Sequence, residues 1–333
     1  MKKYSLIALV LLAGISAAVI IGSWYAQQKV QPRVKLEPIK LSLSEQIGAG
    51  LVVIALKKGF FTQEGLDVNV TLFPSGKLAL EKGIFGSKLD IANTADVPIA
   101  LAACERHDFK IIATIFSADN INRIVANRQS GILTPNDLRG KRIATQRTSA
   151  VHFYLSLFLL ENRINISDVN LMFMEAEQLP KALYEGKIDA FSMRDKYVTQ
   201  AQNLLGNSTI IFESPGLYAQ TEVLVASEKM IRERPETTKK FLKAIVKAET
   251  YMQEHMDESL EIIAKFKKIP KNKLQKMNFE VTMKQSLMVL LEDEARWAMS
   301  EKLVDTKELP DFGEFFDDQF LKNIKPDSVT IIH

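Results

Sequence analysis

The sequence predicts an α/β protein whose sheets are mainly parallel and whose chain closes with a helical segment, and three observations carry that prediction. Short β-rich runs alternate with amphipathic stretches over most of the chain, the alternation that builds strand–helix–strand units. After Arg234 the character changes: PETTKKFLKAIVKAETYMQEHM and its continuation to Lys302 repeat apolar residues at helical spacing without a strand signal. The third observation is a faint internal repeat. GSKLDIANTADVPIAL, from Gly86, and EGKIDAFSMRDKYVTQ, from Glu185, share a turn, a lysine, an apolar residue, an aspartate, a strand and a second aspartate. Asp90 and Asp189 are separated by the same number of residues as Asp96 and Asp195, as equivalent strands of two similar lobes would be.

At the N-terminus, Lys2 and Lys3 precede an apolar run from Leu6 to Ile21, and no charge follows until Lys29. Such a segment is an export signal or an anchor. A helix rising about 1.5 Å per residue needs roughly 20 residues to cross a bilayer, and Tyr4 to Ala26 is just long enough. No cleavage site is well marked, and Trp24 and Tyr25 suit a membrane interface, so residues 1–28 are expected to hold an extracytoplasmic chain to the membrane. A Pro-bounded linker is expected over 29–38, with the folded part from Ile39. The strands expected in order are IKLSLSE, LDVNVTLF, LDIANT, FKIIATIF, RIVANR, KRIATQR, VNLMFM, IDAFSM, TIIFES and EVLVAS.

Composition removes several classes of function. The chain has 333 residues, 47% of them hydrophobic, enough to bury a large core in one or two lobes. Its 43 Lys and Arg against 40 Asp and Glu form no basic block, so no nucleic-acid partner is expected. Cys104 is the single cysteine, which excludes an internal disulfide and leaves no thiol near the leader for a lipid anchor. The histidines, at 107, 152, 255 and 333, are scattered, and no metal-spaced cluster, Gly-rich phosphate loop or Gly-x-Ser-x-Gly elbow occurs. No catalytic residue, metal or cofactor is expected.

The most informative stretch for a ligand is DLRGKRIATQRTSAVHFYLSLFLLEN, where a turn at Arg139-Gly140 leads to a strand, then to Thr148-Ser149, then to a helix. One of these two hydroxyl residues should cap that helix, whose free N–H groups and positive dipole end form a seat for an anion. Ligands in open α/β sheets collect beyond the carboxyl ends of the strands, so Asn93 to Asp96 and Met193 to Asp195 should face a shared cleft.

Five segments in order, ALKKGFFTQEGLDVNV, FGSKLDIANTADVPIALA, SGILTPNDLRGKRIAT, TSAVHFYLSLFLLE and LYEGKIDA, make the sequence resemble the periplasmic binding proteins for nitrate, aliphatic sulfonates, taurine and thiamine-pyrimidine precursors. The resemblance runs from Ile39 to about Asp257. It implies a two-lobed type II periplasmic binding protein fold, hinged on crossings near Ile121–Asn127 and Leu217–Ala226. Lobe 1 would then comprise 39–122 and 223–333 with the C-terminal helices, and lobe 2 would comprise 123–222. It also implies a monomeric extracytoplasmic solute-binding protein that closes on a small anion or zwitterion and hands it to the permease and ATPase subunits of an ABC-type importer. The alternative is a ligand-sensing module working with a separate signalling partner. A thiamine-pyrimidine synthase shares the fold but requires a cysteine-rich segment that this sequence does not have.

At the family's anion seat the matching residues here are Thr148, Ser149 and His152. Where relatives usually place a tryptophan and a proline, this sequence has Arg194 and Lys196, and an arginine there offers a planar fork to sulfonate, carboxylate or phosphate oxygens. Asp195 adjoins it. On the first lobe Gln46, Gly48, Ser75, Asn93, Thr94 and Asp96 occupy places where relatives supply polar contacts. Asp96 also reads as a helix cap before Val97-Pro98, and facing the cleft it would meet a ligand ammonium.

Overall fold

A computed structural model describes residues 35–86, 88–274 and 277–332. The expected anchor over 1–28 and most of the linker lie outside the described residues. Among the described residues, no helix is long and apolar enough to cross a membrane.

The described residues form ten strands in chain order: β1 (Glu37–Ser44), β2 (Leu66–Phe73), β3 (Ile91–Ala95), β4 (Phe109–Ala118), β5 (Asn122–Asn127), β6 (Arg142–Thr145), β7 (Asn170–Phe173), β8 (Ala190–Arg194), β9 (Thr209–Phe212) and β10 (Gln220–Ser227). They fall on the ten runs read from the sequence. The principal helices are α1 (Gly50–Lys57), α2 (Asp96–Ala103), α3 (Ala150–Glu161), α4 (Asp195–Leu205), α5 (Pro235–Glu254), α6 (Met256–Lys267) and α7 (Gln285–Ser300).

The strands form two five-stranded sheets with the same plan, in the orders β2-β1-β3-β10-β4 and β7-β6-β8-β5-β9. In each, one strand runs antiparallel to its neighbours: β10 between β3 and β4, and β5 between β8 and β9. Each antiparallel strand arrives from the other sheet, β5 directly after β4 and β10 directly after β9. The chain therefore crosses between the lobes twice, over 119–121 and 213–219.

The internal repeat has a structural cause. Asp90 Oδ2 accepts the amide of Lys40 at 2.8 Å, and Asp189 Oδ2 accepts the amide of Arg142 at 2.9 Å. Each aspartate thus stitches the start of the strand after it to the strand beside it. The last amides of the antiparallel strands complete the match, since Ser227 donates to the Asp90 carbonyl and Asn127 to the Asp189 carbonyl. Asp96 and Asp195 each begin the helix after the repeated strand.

Packing explains the C-terminal segment. Phe241, Leu242, Ile245, Ala248 and Met252 line one face of α5 at helical spacing and are buried in the first lobe's core, where α5 and α6 cover α1. Helix α7 lies on α2 and also reaches the second lobe, where Trp297 Nε1 donates to Ser156 Oγ at 3.1 Å. The helical pattern expected from Arg234 to Lys302 is interrupted over 278–283. There Phe279, Val281 and Met283 are buried at every second position, and the amides of Thr114 and Ser117 donate to the carbonyls of Thr282 and Asn278 at 2.7 and 2.9 Å. This extended piece covers the outer edge of β4, whose backbone would otherwise be unpaired.

Candidate functional site

The carboxyl ends of β1, β2, β6 and β8 open toward one cleft between the two sheets, and Gln46, Ser75, Lys77, Ser149, Arg194 and Glu222 line it. The cleft is closed down to about 10 Å³, the room one water requires. Lys77 closes its mouth, because its ammonium, from the first lobe, donates to Thr148 Oγ1 and to the Arg147 carbonyl in the second.

The second-lobe wall comes from the turn after β6 and the end of β8. Thr148 has φ 53°, a left-handed conformation uncommon for a non-glycine residue, and it swings the chain into α3. Ser149 is the N-cap by backbone geometry, but its hydroxyl donates to the Gln146 carbonyl at 2.6 Å and leaves the helix start uncapped. The first two amides of α3, of Ala150 and Val151, precede the first bonds to the Ser149 carbonyl and remain available. Arg194 ends β8, partly buried, and among the described residues its guanidinium makes one hydrogen bond, a long contact of Nη1 with Gln220 Oε1 at 3.3 Å. Burial lowers its pKa, opposed by the nearby Glu222, Tyr218 and Asp96.

The first-lobe wall is held by its own polar contacts. Gln46 Nε2 donates to the Pro74 carbonyl at 3.0 Å and ties the loop after β1 to the loop after β2. Ser75 caps the next helical turn by accepting the Leu78 amide at 3.3 Å. Gly76 must be glycine, since a Cβ there would stand 2.8 Å from Thr94 Cα. Gly48 likewise makes room, since a Cβ would lie 2.1 Å from Glu222 Cγ. Glu222, on β10, is 1% exposed and receives Asn93 Nδ2 at 3.2 Å, while burial pushes its pKa up to about 7.

Of the residues expected from the sequence, the structure brings Gln46, Ser75, Ser149 and Arg194 to the cleft, with Thr148 at its mouth. Gly48 and Asn93 stand behind it and position Glu222. Thr94 is buried with an unpartnered hydroxyl. Asp96 is fully buried at the hinge, where it accepts the Tyr218 hydroxyl at 2.5 Å and the Thr221 amide at 2.7 Å. It starts α2 while Ala95 holds the cap position, and burial pushes its pKa up to about 6. His152 is buried edge-on between Phe173 and Trp297, with both ring nitrogens unpartnered among the described residues and its pKa pushed down to about 4 by burial. The side chain of Asp195 lies outside the described residues. Sequence reading missed Glu222 and Lys77. A single acid inside the apolar run of β10 was the available signal for Glu222, since unpaired carboxylates are rarely buried. Among the described residues, no group of three or more His, Cys, Asp or Glu side chains could hold a metal.

This fold and this cleft belong with a described family: residues 48–259 match the NMT1/THI5-like family, and the chain is a member of it. A putative aliphatic sulfonates-binding protein of Bacillus subtilis is 26% identical over 242 residues, covering 71% of this chain and 72% of that one. Among solved structures, the periplasmic aliphatic sulphonate binding protein SsuA of Escherichia coli superposes with a TM-score of 0.69 at 18% identity, over 84% of this chain and 97% of that one. The alkanesulfonate-binding protein SsuA of Xanthomonas axonopodis, bound to MOPS, gives 0.70 at 16% identity, over 85% and 99%. The shared architecture is the two-lobed periplasmic binding protein fold.

Proposed function

We propose that the chain is the extracytoplasmic solute-binding component of an ABC-type importer and that it encloses a small anion, of the sulfonate kind, between lobes spanning 39–122 with 223–333 and 123–222. Arg194 is the observation that carries this reading. A guanidinium with five donors lines the cleft and, among the described residues, spends one of them on a long contact with Gln220. A cation this poorly served by its own protein is suited to ligand oxygens. The amides at the start of α3, together with Ser75 and Gln46 opposite, would supply neutral donors to the same anion. The sulfonate-binding proteins among the relatives and structural neighbours support the ligand class. In this reading the subunits that receive the ligand are a permease and an ATPase, and residues 1–28 keep the protein at the membrane.

The test is a thermal-shift screen of the full-length chain against alkanesulfonates, aminosulfonates, carboxylates and nitrate. A ligand at 100 times its Kd adds about 2.7 kcal/mol of stability, a readily measured shift. Scattering should then show a more compact bound form. Chemical turnover of the stabilising ligand would overturn the reading.

A further inference from the structure

Glu222 presents a problem that an anion-binding cleft does not explain. Its carboxylate is 1% exposed, faces the same cleft as Arg194 and makes no ion pair among the described residues. An isolated carboxylate is costly to bury, and one beside a ligand anion would repel it. The surroundings nonetheless accommodate this side chain. Gly48 gives up its Cβ to leave room for it, and the Asn93 amide, held in turn by Ser44, fixes one of its oxygens.

The charged and titratable groups facing Glu222 come from three elements. Arg194 approaches from β8, Asp96 from the start of α2 and Lys267 from the end of α6, with neutral Asn93 alone on β3. The two cations draw Glu222 toward ionisation, Asp96 opposes it, and burial outweighs them all. The cleft therefore holds a positive group and a latent negative group on separate walls.

We infer that Glu222 is the specificity-determining residue of this cleft: it receives a protonated amine on a ligand whose anionic end is taken by Arg194. The inference rests on the anion-binding reading above and narrows it to zwitterions. An amine satisfies the carboxylate in its charged form. An amine-free anion leaves it with the neutral Asn93 amide and no countercharge from the ligand, so Glu222 must take up a proton before that anion can bind.

The experiment is calorimetry and thermal shift on the full-length chain with two matched pairs of probes, aminoethanesulfonate against propanesulfonate and β-alanine against butyrate. The wild type is expected to prefer the amine-bearing member of a pair by about 10- to 100-fold, the range of a charge-assisted contact. Glu222→Gln should abolish that preference. Heats measured in two buffers of different ionisation enthalpy should show proton uptake with the amine-free member, approaching about one proton above the Glu222 pKa, and none with the amine. Equal affinities within the pairs, or a preference that survives Glu222→Gln, overturn the inference and leave the anion cleft standing. No response to any of the four probes overturns both. Where the Gln variant does not fold, the wild-type affinities and proton count decide alone.

Discussion

Replacing Arg194 separates a ligand contact from a structural one. Among the described residues the guanidinium makes a single hydrogen bond, at 3.3 Å, to Gln220. That bond contributes at most about 1 kcal/mol net to stability, and removing a desolvated cation that has no ion pair among the described residues offsets much of the loss. Glu222 and Asp96 lose a favourable charge but gain protons in response, because burial already holds them at about 7 and about 6. Arg194→Ala should therefore leave the melting temperature nearly unchanged. A charge-assisted contact to a bound anion contributes about 1.5–3 kcal/mol, so the same variant should weaken binding by roughly 10- to 100-fold. Arg194→Lys should recover little of this, since an ammonium lacks the planar fork. Calorimetry with the best ligand of the thermal-shift screen, alongside denaturant unfolding, measures both quantities. Unchanged affinity would remove Arg194 from the site. A fall in stability as large as the fall in binding energy would make its role structural.

Three further outcomes are expected. His152→Phe should raise stability by about 1 kcal/mol near neutral pH by removing two unpartnered buried nitrogens. The wild type alone should lose further stability as pH falls from 6.5 through about 4, because the unfolded histidine then binds the extra proton; ligand affinity should not change, and an affinity loss would return His152 to the site. Glu222 has the opposite sign. Its folded pKa is raised, so its stabilising contribution is complete below 4.5 and lost as pH rises through about 7, and Glu222→Gln should flatten melting temperature against pH across that window; an unaltered slope would refute the assignment. Glu249→Ala leaves the Val281 amide and the Lys325 ammonium, both at 2.8 Å from the carboxylate, without their acceptor. Lys325 retains access to water, so the cost should be about 2 kcal/mol, a fall in melting temperature of roughly 4–8 °C, and an unchanged melting curve would contradict it.

The ten strands were legible because each run is apolar, bounded by turn residues and separated from the next by an amphipathic stretch. The doubled plan was legible through Asp90 and Asp189, whose spacing follows from a shared job at the start of two equivalent strands. The piece over 278–283 was not, because its period-two pattern is short and lies between strong helices. The cleft was half legible. Topology placed the end of β8, with Arg194, at the cleft, the strand-to-helix turn marked Ser149, and the family resemblance pointed to Gln46 and Ser75. Whether a side chain at such a place turns inward is decided by tertiary neighbours, and that is where Asp96 and His152 departed: one is consumed by Tyr218 and Thr221, the other is enclosed by two aromatic rings. Glu222 was hidden for the converse reason, since β10 reads as plain strand and its acid acquires meaning only opposite Arg194.

The exchange of antiparallel strands has a consequence for how the protein is made. The second sheet is encoded without interruption, from β5 to β9, and can be completed as soon as that stretch leaves the ribosome. The first sheet cannot. Its fourth position, between β3 and β4, stays vacant until β10 is synthesised, so the earliest-made lobe is the last to be finished. Throughout that interval two strand edges of the nascent chain are unpaired, an invitation to wrong partners and a natural opening for a holding chaperone.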